Sequence, residues 1–163
     1  MYHYFMPYLI DGHNLIPKFG ISLGAEDDED QLMQILNTYA RFTRKGQMEI
    51  YFDKAATGTI ERKIPSFLKV HFVKTGKTAD EAIINRARSL DKAVRNWIVV
   101  SSDRYVQREC RNMGASVVTS DQFVSQVRAE LAKPHTEPNM DEKLSEAEVD
   151  AWMDLFNKNN PRP

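Results

Sequence analysis

WIVVSSDRYVQRECRNMGASVVTSDQFVSQVRAELAK, residues 97–133, alternates short apolar runs with helix-like stretches. WIVV closes in the polar SSD, ending at Asp103, and RYVQRECRNM then carries helical periodicity until Gly114 stops it. ASVVTS is a second short run, and DQFVSQVRAELAK a second amphipathic helix, with Asp121 or Ser120 as its cap. Strand, helix, strand, helix in this order predicts a parallel sheet with crossover helices.

The same rhythm continues upstream. MPYLID ends at Asp11, MEIYFD ends at Asp53, and FLKVHFVK precedes TADEAIINRARSL, where Thr78 and Glu81 have capping-box spacing. AEDDEDQLMQILNTYARFTRKG fills the first crossover, its acidic start and basic end matching the helix dipole, and AEDDED reads as a solvated helix start. The expectation is an α/β domain over residues 1–133 with a mainly parallel sheet of about five strands. Residues 134–163 read as a polar, proline-bearing linker and a C-terminal amphipathic helix, with Leu144, Val149, Trp152, Met153 and Phe156 on its apolar stripe.

At 163 residues the chain is the size of one domain. Its 42% hydrophobic and 28% charged residues are ordinary for a globular protein, and no apolar run approaches bilayer-spanning length. The amino end, MYHYFMPYLID, does not read as a signal peptide, so a cytoplasmic location is expected. A single cysteine, Cys110, excludes an internal disulfide. A net charge of −1 argues against a uniformly basic nucleic-acid surface, although most of the Arg and Lys lie between 41 and 113.

Ligands of a parallel α/β sheet bind outside the carboxyl ends of its strands. Asp11, Asp53 and Asp103 fall at such ends, and Asp80 opens a helix that follows one. Grouped carboxylates repel, and an all-oxygen set favours a hard divalent cation, Mg²⁺ or Mn²⁺, over zinc. Taken singly, each aspartate reads equally as a turn residue or helix cap. Asp53 reads as a site-rim acid or a structural turn, Glu81 as a capping partner, Asn14 as a site residue or a turn stabiliser, and His13 and His71 as a loop and a strand residue. For phosphate contacts the candidates are Lys54, Arg62, Lys63, Lys74, Lys77, Arg104 and Arg108, with ordinary surface charge as the alternative. KAATGTIERKIPS, residues 54–66, has the composition of a mobile rim loop.

IDGHN at 10–14, FD at 52–53, TADE at 78–81 and VVSSD at 99–103, in this order, resemble the NYN domain, specifically its YacP-like branch within the PIN-like nuclease superfamily. The resemblance covers roughly residues 6–130, and EAEVDAWMDLF looks like a tail of some members. It implies a PIN-like Rossmannoid three-layer sandwich and a Mg²⁺- or Mn²⁺-dependent endoribonuclease acting on RNA, single-stranded above all, in RNA processing or ribosome-linked decay, with the ribosome as a partner. Residue by residue it implies Asp11, Asp80 and Asp103 as metal ligands and Asn14 as an orienting catalytic residue. Ser101 and Ser102, with Lys54 and Arg104, would bind substrate. Asp121 matches a fourth acid only loosely, and His13 stands where the family pattern varies. One or two metals, and the oligomeric state, stay open.

The alternative is a PIN-like module that binds RNA or protein without cutting. A nucleotide-dependent enzyme is disfavoured: neither GxxxxGK[ST] nor GxGxxG occurs, and DGHN lacks the second aspartate of a DxD phosphoaspartate site.

Overall fold

The computed structural model describes residues 6–43, 47–53, 62–63, 68–74 and 76–134. Strands β1 (Tyr8–Asp11), β2 (Met48–Phe52), β3 (Arg62–Lys63), β4 (Leu68–Phe72), β5 (Ile98–Val100) and β6 (Ser116–Val118) form one sheet in the order β3-β4-β2-β1-β5-β6. Five strands run parallel, as the run pattern predicts; β3 pairs antiparallel with β4. That edge strand falls within the stretch expected to be a loop, where its charged sequence carries no strand signal. The remainder of that stretch, and the linker and C-terminal helix expected at 135–163, lie outside the described residues.

The helices are α1 (Gly12–Leu15), α2 (Asp28–Thr43), α3 (Ala79–Ser89), α4 (Arg104–Met113) and α5 (Ser120–Leu131), with short 3-10 turns at Pro17–Phe19 and Asp91–Asn96. Alternation along the strands splits the core in two. Tyr8, Ile10, Met48, Ile50 and Phe52 pack with Leu32, Leu36 and Tyr39 of α2 and Phe123, Val124 and Val127 of α5. Leu9, Tyr51 and Val99 pack with Ile83 and Ala87 of α3 and Val106 and Cys110 of α4. The result is a three-layer sandwich buried on both faces, the usual setting of a parallel sheet.

Caps set the helix starts that face the site. Thr78 caps α3, its Oγ1 accepting from the Glu81 N–H at 3.1 Å. Asp103 caps α4 by accepting from the N–H groups of Tyr105 and Val106, and Gly114 ends that helix at φ 105°. The cap of α5 is Thr119, in a full capping box with Gln122, and not Ser120 or Asp121. Asp121 is instead exposed in the first turn, its Oδ1 3.0 Å from Lys18 Nζ. The acidic run at 25–30 is less solvated than its composition suggests: Asp28 is buried and accepts from the Gly24 N–H, and Glu29 pairs with His13. His13 itself lies in α1 and not in a loop. Buried on α4, the Cys110 thiol is pushed up to about 11, which leaves it inert at neutral pH.

Candidate active site

Chain order runs from β1 to β2 and β4 on one side and resumes with β5 and β6 on the other, so the topological switch lies between β1 and β5. At that point of an open α/β sheet, ligands enter at the strand carboxyl ends. β1 ends there in Asp11, and the chain leaving β5 passes through Ser101, Ser102 and Asp103.

The turn out of β1 is sterically constrained. A Cβ on Gly12 would stand 2.3 Å from the Phe52 ring, so only glycine lets the chain turn this closely against the end of β2. Asp11 is consequently only 5% exposed although it closes a strand. Asn14 donates from Nδ2 to Asp11 Oδ2 at 2.6 Å and orients that carboxyl. Across the crevice Asp11 meets Asp80, in the first turn of α3. Burial, then the Asp80 charge, push the Asp11 carboxyl up to about 7. A hydrogen bond joins the two carboxyls, so the pair is stabilised when one of them holds a proton. Asp80 is itself raised, by burial first and then by the charges of Asp103, Asp53 and Glu81. Three further acids thus act on this one pair.

The flanking acids are partly committed to backbone. Asp53 Oδ1 accepts from the Ala79 N–H at 2.6 Å and ties the end of β2 to the start of α3. Asp53 is therefore both a structural turn residue and a charge neighbour of Asp80. Asp103 Oδ1 accepts from Tyr105 at 2.8 Å and Val106 at 3.1 Å. Ser101, buried, has its Oγ accepting from the Asp103 N–H, and Ser102 Oγ accepts from the Ser120 N–H at 3.2 Å. Both hydroxyls shape the loop after β5. Arg104 is exposed in the first turn of α4, whereas Lys54 lies outside the described residues. His13 accepts from the Asp53 N–H through Nδ1 and stands 3.0 Å from Glu29 through Nε2, joining α1, α2 and β2 behind the site.

Among the described residues no group of three or more His, Cys, Asp or Glu side chains is gathered in a metal-holding arrangement. The donor set nevertheless suits a hard cation in chemistry: every acid is an oxygen donor, and Asp11 and Asp80 are both raised by burial first and then by neighbouring acids.

One ionic feature escapes a reading by motifs. Glu49, mid-β2 and wholly buried, accepts from Arg86 Nε at 2.9 Å, Arg86 Nη2 at 3.0 Å and the Tyr51 hydroxyl at 2.9 Å. Arg86 also lies over the Trp97 ring, 5.5 Å from its centroid. A glutamate inside the apolar run MEIYF was the available signal.

Three layers, a switch point between β1 and β5 and acids converging there define a PIN-like, nuclease-class α/β domain. The chain belongs to the YacP-like NYN domain family, whose model matches residues 8–157. It is similar to the crystal structure of Rae1 (YacP) from Bacillus subtilis, W164L mutant, with 27% identity, TM-score 0.61, and coverage of 77% of this chain and 76% of that one. A second crystal structure of Rae1 (YacP) from Bacillus subtilis matches with 25% identity, TM-score 0.61, and coverage of 76% and 74%. No curated protein matches the chain significantly. No helix among the described residues is long and apolar enough to cross a membrane.

Proposed function

We propose that the chain is a divalent-metal-dependent endoribonuclease that hydrolyses RNA phosphodiester bonds at the Asp11–Asp80 crevice, in the cytoplasm, in RNA processing or ribosome-linked decay. The observation that carries this reading is the pairing of Asp11 with Asp80 at the switch point, with both carboxyls raised by burial and by surrounding acids. Membership in the YacP-like NYN family supports it.

Asp11, Asp80 and Asp103 would hold Mg²⁺ or Mn²⁺, which supplies positive charge against the developing charge on phosphorus and lowers the pKa of a water. Asn14 fixes the Asp11 carboxyl through its 2.6 Å bond. The helix cap ties Asp103 Oδ1 to the N–H groups of Tyr105 and Val106, and Ser101 Oγ accepts from the Asp103 N–H. Arg104 at the rim, with Lys54 and Ser102, would contact substrate phosphates without reading sequence.

A second reading, a PIN-like module that binds RNA or protein without cutting, is favoured by one observation: no three acids among the described residues are already gathered for a metal. Cleavage of an end-labelled RNA pool in Mn²⁺, Mg²⁺ or EDTA separates the two. The nuclease reading expects metal-dependent cutting that is lost in Asp11→Asn and Asp103→Asn. Cutting that persists in both variants would place the activity elsewhere, and binding without cutting in any metal would favour the module.

A further inference from the structure

Tyr105 is 54% exposed, and with Leu23 it is one of two exposed large hydrophobic side chains among the described residues. It lies off the apolar stripe of α4, which buries Val106 and Cys110, so the core does not account for an aromatic ring there. Its backbone is nevertheless anchored: the Tyr105 N–H donates to Asp103 Oδ1 at 2.8 Å, within the cap of the helix. Arg108, one turn on, lays its guanidinium over the ring at 5.6 Å from the centroid, and its Nε is 3.7 Å from Glu109 Oε1. Arg104 precedes the ring on the same exposed turn. Leu23, by contrast, is aliphatic and has no π-face to offer.

We propose that Tyr105, backed by Arg108, is a stacking platform for one unpaired nucleobase of single-stranded RNA, seated beside Asp103. An aromatic ring stacks on any base, and a guanidinium over that ring adds a cation for the adjacent phosphate. The faces of paired bases are already covered within a duplex, so such a platform selects single strands. The inference rests on the RNA reading above and adds to it the feature that recognises the strand. The backbone bond from Tyr105 to Asp103 puts the residue that carries the ring at the same helix start as an acid whose charge reaches Asp80.

The test is fluorescence anisotropy of a 5′-labelled 12-nucleotide RNA, alone and annealed to its complement, in EDTA, followed by steady-state cleavage in Mn²⁺. Tyr105→Ala should weaken single-strand binding about tenfold, the scale of one lost base–aromatic stack. Duplex binding should change far less. Tyr105→Phe, which keeps the ring, should recover most of the affinity, and Leu23→Ser, which removes the other exposed apolar side chain, should bind as the native protein does. In Mn²⁺ the alanine variant should raise KM more than it lowers kcat. Single-strand binding by Tyr105→Ala within twofold of the native protein, equal losses on single strand and duplex, or no RNA binding by the native protein would each overturn the platform. Native binding that depends on Tyr105 without cutting in any metal would keep the platform and remove the nuclease. Cutting abolished by Asp11→Asn but indifferent to Tyr105→Ala would do the reverse.

Discussion

Helix α3 meets two carboxylates on the same face of the sheet and treats them in opposite ways. Near its start it sets Asp80 against Asp11, acid against acid; six residues later it sets Arg86 against Glu49, cation against acid. The strand register places Leu9 opposite Glu49 and Asp11 opposite Tyr51, so the two carboxylates lie on neighbouring strands, one side-chain step apart along the sheet. Glu49 is satisfied by three hydrogen bonds and keeps the Arg86 guanidinium more basic than usual. Among the described residues, Asp11 has Asn14 as a hydrogen-bond partner and the acid Asp80 beside it. A buried charge with a full set of partners is architecture. Left among like charges at a strand end, one is a candidate functional group.

The widest break in this contrast comes from removing the cation of the satisfied pair. Arg86→Ala leaves Glu49 buried and unpaired and should cost about 3–5 kcal/mol in denaturant unfolding. Glu49→Leu with Arg86→Met should recover most of that loss, because it removes both charges together. A double variant as unstable as Arg86→Ala alone would mean that the pair is not what stabilises this region.

The unsatisfied pair should show itself through pH. The folded Asp11 carboxyl is raised to about 7 from 3.8, so the folded protein keeps a proton that the unfolded chain has released between these values. That stability is fully present below about 4 and is lost as pH rises through about 7, by at most about 1.4 kcal/mol per pH unit for one proton. Thermal melts of the metal-free protein should therefore fall from pH 5 to pH 8. Asp11→Asn should flatten that slope, and Mn²⁺ should raise the native melting temperature most at the alkaline end. A native slope unchanged by the variant would show that other groups govern the pH response.

Gly12→Ala probes the ground under Asp11 alone. The added methyl meets the buried Phe52 ring and should cost about 1–3 kcal/mol by overpacking. Cleavage should fall beyond what the loss of folded protein explains, since Asp11 is the preceding residue. The smallest effect belongs to Asp121, an acid that has its own cation in Lys18 and stays exposed. Asp121→Asn should shift stability by under about 1 kcal/mol and leave cleavage unchanged. A large loss of cutting there would enlarge the site beyond the Asp11–Asp80 pair.

Much of this was legible in the chain itself. Five apolar runs, four of them followed by a helix-period stretch, predicted the parallel sheet, because alternation of strand and crossover helix leaves little other way to bury both. Thr78 and Gly114 were readable as a cap and a stop because those roles depend only on a few neighbouring residues. Thr119 was missed because Thr, Ser and Asp in succession offer three adjacent caps, and only the path of the chain out of β6 chooses. The two charged residues of β3 give no strand signal at all; pairing with β4 makes the strand.

The site divides along the same line. The sequence by itself determined that Asp11, Asp53, Asp80 and Asp103 sit at strand ends or a helix start, since position along a strand is a local property. Only the tertiary structure decided which of them touch: Asp11 pairs with Asp80, while Asp53 and Asp103 give an oxygen each to backbone N–H groups. It also decided that Glu49 has Arg86 while Asp11 meets no such cation among the described residues, because partners 37 residues apart meet only when a helix packs on a sheet. Charge can be read from a sequence, but its neutralisation depends on distance, and distance is a property of the fold.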